Sequence, residues 1–136
     1  MKDLAAGAPL LDVRLGYTPD AAYHLFDMLG QKGRGTYLTL LWTIDLALPA
    51  LFCLFLSSAI RRGAFRACQS IPLLAAACDY AENVTITMLL LRYPTHEQAL
   101  AQRASILTVT KLILYGTGLL LAVVGFLVRV MRPRPA

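Results

Sequence analysis

The chain has 136 residues, of which 57% are hydrophobic and only 15% charged, and its net charge is +5. Soluble domains carry about one-quarter charged residues. The apolar excess, with a mean hydropathy of +0.59, is gathered into three long runs, which argues against a soluble core and for one all-α integral membrane domain.

Residues 1–17 are mixed and without periodicity, and no apolar stretch after Lys2 reads as a cleavable signal. Thr18-Pro19-Asp20 predicts a helix start, with Thr18 as cap, Pro19 in the first turn and Asp20 at the positive helix end. Ala22, Leu25, Phe26 and Leu29 form an apolar stripe that Gly30 can close. The reading is a short amphipathic helix over 18–30 lying on the bundle mouth or membrane surface, followed by a flexible polar hinge at 31–35.

The first span is predicted at 37–60. Tyr37 and Trp42 suit an interface, and Arg61 and Arg62 close the other end. Pro49 takes a helical donor away from the Asp45 carbonyl one turn earlier. A kink beside Asp45 is expected, unless the proline is simply tolerated, as in many membrane helices. The second span, 67–91, carries the small stretch Ala75-Ala76-Ala77 for close packing and ends before Pro94. Thr95 and Gln98 have capping-box spacing, so a third helix is expected to start there and to span 104–128. Arg129, Arg132 and Arg134, with Pro133 and Pro135, end it.

The orientation follows from the basic residues. The loop at 61–66 and the tail after 129 each carry arginines and no acids, while residues 1–36 carry four basic and four acidic side chains. The positive-inside rule puts the loop and tail in the cytoplasm and the amino terminus outside, across a cytoplasmic (inner) membrane. Anionic lipid then accounts for the basicity, without nucleic acid as a partner. Three spans require the first 36 residues to cross the bilayer; the alternative is a natural fourth, amino-terminal span ahead of Met1.

Asp79, Glu82 and Asn83 are spaced i, i+3, i+4 and share one helical face inside the second span. Counted from the outer span ends, Asp45 and Lys111 lie roughly 12 Å deep and Glu82 and Asn83 roughly 14–15 Å, with Asp79 about one turn deeper. This shared depth predicts one buried polar cluster of Asp45, Asp79, Glu82, Asn83 and Lys111, with Glu82 the first choice of partner for Lys111 and Asp45 the second. Thr85, Thr108 and Tyr115 can complete its hydrogen bonds, and Thr110 points elsewhere. Three acids face one lysine, so a proton or a cation must supply the missing charge.

No P-loop, GxSxG, HExxH or GxGxxG motif is present, and neither a metal nor a cofactor is expected. His24 and His96 read as solvent-exposed, and Cys53, Cys68 and Cys78 as small buried hydrophobes.

The segment Leu11-Asp12-Val13-Arg14-Leu15-Gly16-Tyr17-Thr18-Pro19, Asp45 in the first span, Asp79-Tyr80-Ala81-Glu82-Asn83 and Lys111 resemble a group of small uncharacterised bacterial multi-span membrane proteins with a buried D-x-x-E-N pattern. The resemblance implies a four-helix architecture with an extra amino-terminal span, and no particular chemistry.

Three functions fit this sequence. The first is a non-catalytic membrane protein that binds a partner span, a lipid or a small cationic or amphipathic ligand through the outer polar pocket. The second is an intramembrane enzyme with buried carboxylates as acid and base on a lipid-like substrate. The third is a proton or ion pathway in an oligomer. The partners expected are the lipid bilayer and a second copy or another membrane protein. A cavity reaching Glu82 would favour the second and third; a closed lysine–acid pair would favour the first.

Overall fold

The computed structural model of the chain describes residues 9–131, all helical or irregular among those described. Arg132, Pro133, Arg134 and Pro135, expected to end the last helix, lie outside them. After a 3-10 turn at Leu11–Val13 the chain forms α1 (Pro19–Leu41), α2 (Ile44–Arg62), α3 (Ile71–Arg92) and α4 (Gln98–Met131). Three helical stretches, Pro19–Arg62, Arg66–Arg92 and Gln98–Met131, are long and apolar enough to cross a membrane.

Helix α1 starts as its sequence predicts. The Ala21 amide donates to the Thr18 hydroxyl at 3.2 Å, and Pro19 occupies the first turn. Gly30 breaks it, with φ +60° and ψ −178°, a conformation that a Cβ disfavours. The helix resumes at once, so residues 31–35 are helical and not a flexible hinge. Arg34 fastens the break by donating to the Phe26 carbonyl at 2.9 Å, while its guanidinium lies 4.0 Å from the Tyr93 ring centre.

The span expected at 37–60 is not one helix. It breaks at Trp42 and Thr43, ahead of the turn that contains Pro49. The Thr43 hydroxyl donates to the Thr39 carbonyl at 2.6 Å, a side-chain substitute for the backbone ladder. Pro49 itself stays buried inside α2.

Helices α3 and α4 run antiparallel, joined by the turn at 93–97, and α2 packs beside them. Helix α4 begins at Gln98, so the expected capping box from Thr95 does not form; the Ala101 amide bonds to the Glu97 carbonyl instead. With 34 residues, α4 is about 51 Å long and outreaches a ~30 Å hydrocarbon core.

The larger core lies at the end that carries the 93–97 turn. There Leu11 and the α1 residues Tyr23, Phe26 and Leu29 pack on Ile86 and Leu89 of α3 and on Ala101 and Ala104 of α4. The amino-terminal segment thus covers that end of the bundle. Tyr37, expected at an interface, is fully buried in this core. Leu56, Ile60 and Ala122 form a smaller core toward the other end. Around the flank, Leu51, Leu54 and Phe55 of α2 and Ile113, Leu120 and Phe126 of α4 are exposed, an apolar surface of the kind that water does not favour. Cys53, Cys68 and Cys78 are half-buried rather than in the core.

Candidate functional site

Between the two cores, α3 turns Asp79, Glu82 and Asn83 inward, and all three are buried. Thr108, Lys111 and Tyr115 share the facing side of α4 at i, i+3 and i+7. The antiparallel arrangement sets the pairing, because later residues of α3 meet earlier residues of α4. Thr108 donates to Glu82 Oε1. Lys111 Nζ lies 2.8 Å from Asp79 Oδ1 and 2.5 Å from Glu82 Oε2. The Tyr115 hydroxyl donates to Asp79 Oδ2 at 3.4 Å.

Three of the four carboxylate oxygens of the pair accept a hydrogen bond; Glu82 Oε2 accepts none and meets the Lys111 ammonium only as an ion-pair contact. Glu82 is 0% exposed and Lys111 6%, so these contacts form away from solvent. One ammonium serves both acids, and with both ionised the trio carries one surplus negative charge. The expected pairing with Glu82 is present. The second partner, however, is Asp79 and not Asp45. The extra turn of depth assigned to Asp79 is bridged because the two acids are three residues apart, roughly 4.5 Å along α3, within reach of one ammonium.

Asp45 joins the site through its backbone. Asn83 Nδ2 donates to the Asp45 carbonyl at 3.1 Å, and the Tyr80 hydroxyl donates to the neighbouring Leu46 carbonyl at 2.9 Å. Two side chains of α3 thus hold the first turn of α2. The Asp45 carboxylate makes no ion pair or hydrogen bond among the described residues. Thr85 and Thr110 bond to carbonyls of their own helices, so Thr85 does not complete the cluster.

The contribution of residues 11–17 to the site carries no periodic signal in the sequence. The Tyr17 amide donates to Ser105 Oγ at 2.9 Å, which brings its ring down beside Thr108. Burial, more than any neighbouring charge, raises the Tyr17 phenol above its ordinary range. The Tyr17 hydroxyl and Asn83 Oδ1 are buried without a hydrogen-bond partner among the described residues. Above them, Tyr37 Oη accepts from the Leu11 amide at 3.2 Å and donates to Asp12 Oδ1 at 2.9 Å. None of these contacts has a periodic signal, because residues 9–17 are irregular apart from one 3-10 turn.

The 93–97 turn is tied to α1 in the same way. Tyr23 Oη accepts from the Glu97 amide at 2.6 Å and donates to the Thr95 carbonyl at 3.2 Å. His96 is exposed as expected, yet it stacks on Tyr23 with 4.0 Å between ring centres. Tyr93 donates to Asp27, and that bond raises the Tyr93 phenol above its ordinary value.

No family model matches the chain, and no curated protein or solved structure matches it. Its function is therefore argued from this geometry alone.

Proposed function

We propose that the chain is a non-catalytic integral protein of the cytoplasmic membrane, with its amino terminus outside. In this reading the Lys111–Asp79–Glu82 trio fixes the register of α3 against α4, and the bundle binds a lipid or a small amphipathic ligand of the bilayer. The observation that carries the non-catalytic reading is closure of the trio. Three of the four carboxylate oxygens accept a hydrogen bond and the fourth, Glu82 Oε2, lies against the Lys111 ammonium, while Glu82 is fully buried and Asp79 and Lys111 are nearly so. A general acid or a proton carrier needs a path to substrate or water, and the burial of Glu82 and Lys111 argues against one. The exposed apolar flank and the three spanning-length helices support the membrane location.

The test has two arms. Membranes from expressing cells are washed at alkaline pH, and single cysteines at Gln98 and the exposed Ala64 are labelled from outside. Retention in the membrane with labelling at Gln98 alone is expected. Release by the wash overturns the membrane reading, and labelling at Ala64 overturns the orientation. Native mass spectrometry of the purified protein should then show a retained lipid or amphipath. A bare chain under the gentlest desolvation sinks the binding role.

A further inference from the structure

At the end of the bundle opposite the 93–97 turn, the connection between α2 and α3 holds a cleft of about 430 Å³, lined by Arg61, Arg66, Ala67 and Gln69. We propose that this cleft is a binding site for the phosphate headgroup of an anionic phospholipid. It rests on the membrane reading above, and it is separate from the buried trio.

Three features of the fold favour this ligand. Arg61 and Arg66 line one cavity from two different elements, the last turn of α2 and the 3-10 turn Arg66–Cys68. Both are exposed, and neither guanidinium has a hydrogen-bond or ion-pair partner among the described residues. Guanidinium forks match phosphate oxygens in geometry as well as charge.

Charge balance points the same way. Residues 59–74 and 118–131 hold Arg61, Arg62, Arg66 and Arg129 and no acid. Among the described residues the surplus is not neutralised locally, so this end of the bundle attracts anions.

The third feature is the start of α3. Ser70 precedes Ile71 without a side-chain capping bond, and Pro72 has no amide hydrogen. The positive end of a 22-residue helix is therefore uncapped just beyond Gln69, itself a wall of the cleft.

The base of this site is firm. Arg129 donates to the Arg62 carbonyl, Ser57 Oγ donates to the Gln69 carbonyl at 3.0 Å, and Gly63 packs against the Gly125 backbone. The α2–α3 connection is thereby pinned to α2 and α4, and the two free arginines are presented from a fixed frame. A lipid is the favoured source of the phosphate because the walls of the bundle beside the cleft are apolar. Leu73 and Leu74 follow Pro72 and are exposed, ready to meet acyl chains.

The experiment uses the full chain in detergent, titrated with phosphatidylglycerol or phosphatidylcholine and read by native mass spectrometry. Wild type should retain phosphatidylglycerol at least about tenfold better than phosphatidylcholine, given the attraction of each basic residue to an anionic surface. The double variant Arg61→Gln/Arg66→Gln should lose most of that preference, about tenfold. Arg103→Gln, an exposed arginine near the other end, should lose none. Thermal unfolding without lipid should be the same for all three proteins, which separates lost binding from lost folding. Equal retention of the two lipids, or an unchanged preference in the double variant, overturns the site. Displacement of phosphatidylglycerol by millimolar inorganic phosphate overturns the assignment to lipid in favour of free phosphate. An alkaline wash that frees the chain from membranes fails the membrane reading instead, and so is told apart from failure of this site.

Discussion

The Asn83 side-chain amide lies 3.1 Å from the Asp45 carbonyl and donates to it. That carbonyl is four residues before Pro49, whose ring nitrogen carries no hydrogen to offer it. A defect in α2 is thus repaired by a side chain of α3. The orientation of the amide follows, since a carbonyl accepts only from the nitrogen end.

Asn83→Ala should therefore lower stability by about 1–3 kcal/mol, the usual result of leaving a buried acceptor unpaired. In a Pro49→Ala background the residue at 49 brings its own amide hydrogen, and the loss from Asn83→Ala should shrink by roughly 1 kcal/mol. Thermal unfolding of the four proteins in detergent measures the coupling. Strict additivity would show that Asn83 acts independently of Pro49.

Lys111 sits between two carboxylates, so its loss should exceed that of either acid alone. Lys111→Met should destabilise by about 3–5 kcal/mol, as expected when one member of a buried ion pair is removed. Glu82→Gln and Asp79→Asn should each lose less, because Lys111 keeps one partner. The double change Lys111→Met/Glu82→Gln should recover part of the loss, and adding Asp79→Asn should recover most of it. Thermal melts decide the matter; additive losses through the series would rule out the shared ion pair.

The amino-terminal cap hangs on Tyr23, whose hydroxyl meets both Glu97 and Thr95. Tyr23→Phe should cost about 1–3 kcal/mol and speed amide exchange in residues 19–29 and 95–101 together. Hydrogen exchange in nanodiscs reads both segments at once. Rapid exchange of 19–29 in the wild-type chain would mean that the helix does not hold to the bundle.

Gly63 and Gly125 meet backbone to backbone. A Cβ at Gly63 would lie 3.1 Å from the Gly125 carbonyl carbon, whereas one at Gly116 would meet nothing within 4 Å. Gly63→Ala should lose about 1–3 kcal/mol by overpacking, and Gly116→Ala should gain up to about 1 kcal/mol of helix propensity. A melt in which Gly63→Ala is the more stable of the two would contradict this contact.

The start of α1, the course of α3 and the inward face of α3 were legible in the sequence, because all three depend on local spacing. Thr18, Pro19 and Gly30 mark where the first helix starts and breaks. The i, i+3, i+4 pattern puts Asp79, Glu82 and Asn83 together whatever surrounds them. Counting along the helices also brought Lys111 to the level of Glu82. Those inferences need only the 1.5 Å rise and 3.6-residue turn of a helix.

Which groups pair was decided by tertiary structure. Depth alone did not tell Asp45 from Asp79 as the second partner of Lys111, because it says nothing of rotation about the α2 axis. The break at Trp42 and Thr43, where the Thr43 hydroxyl bonds to the Thr39 carbonyl, gives α2 its own start and leaves Asp45 to contribute its carbonyl. Tyr17 and Tyr37 enter the interior only because an irregular segment folds back across α1, α3 and α4. Such contacts join residues 26 and 88 positions apart. No local period encodes them; they exist because packing the bundle end buries more apolar surface than leaving it open.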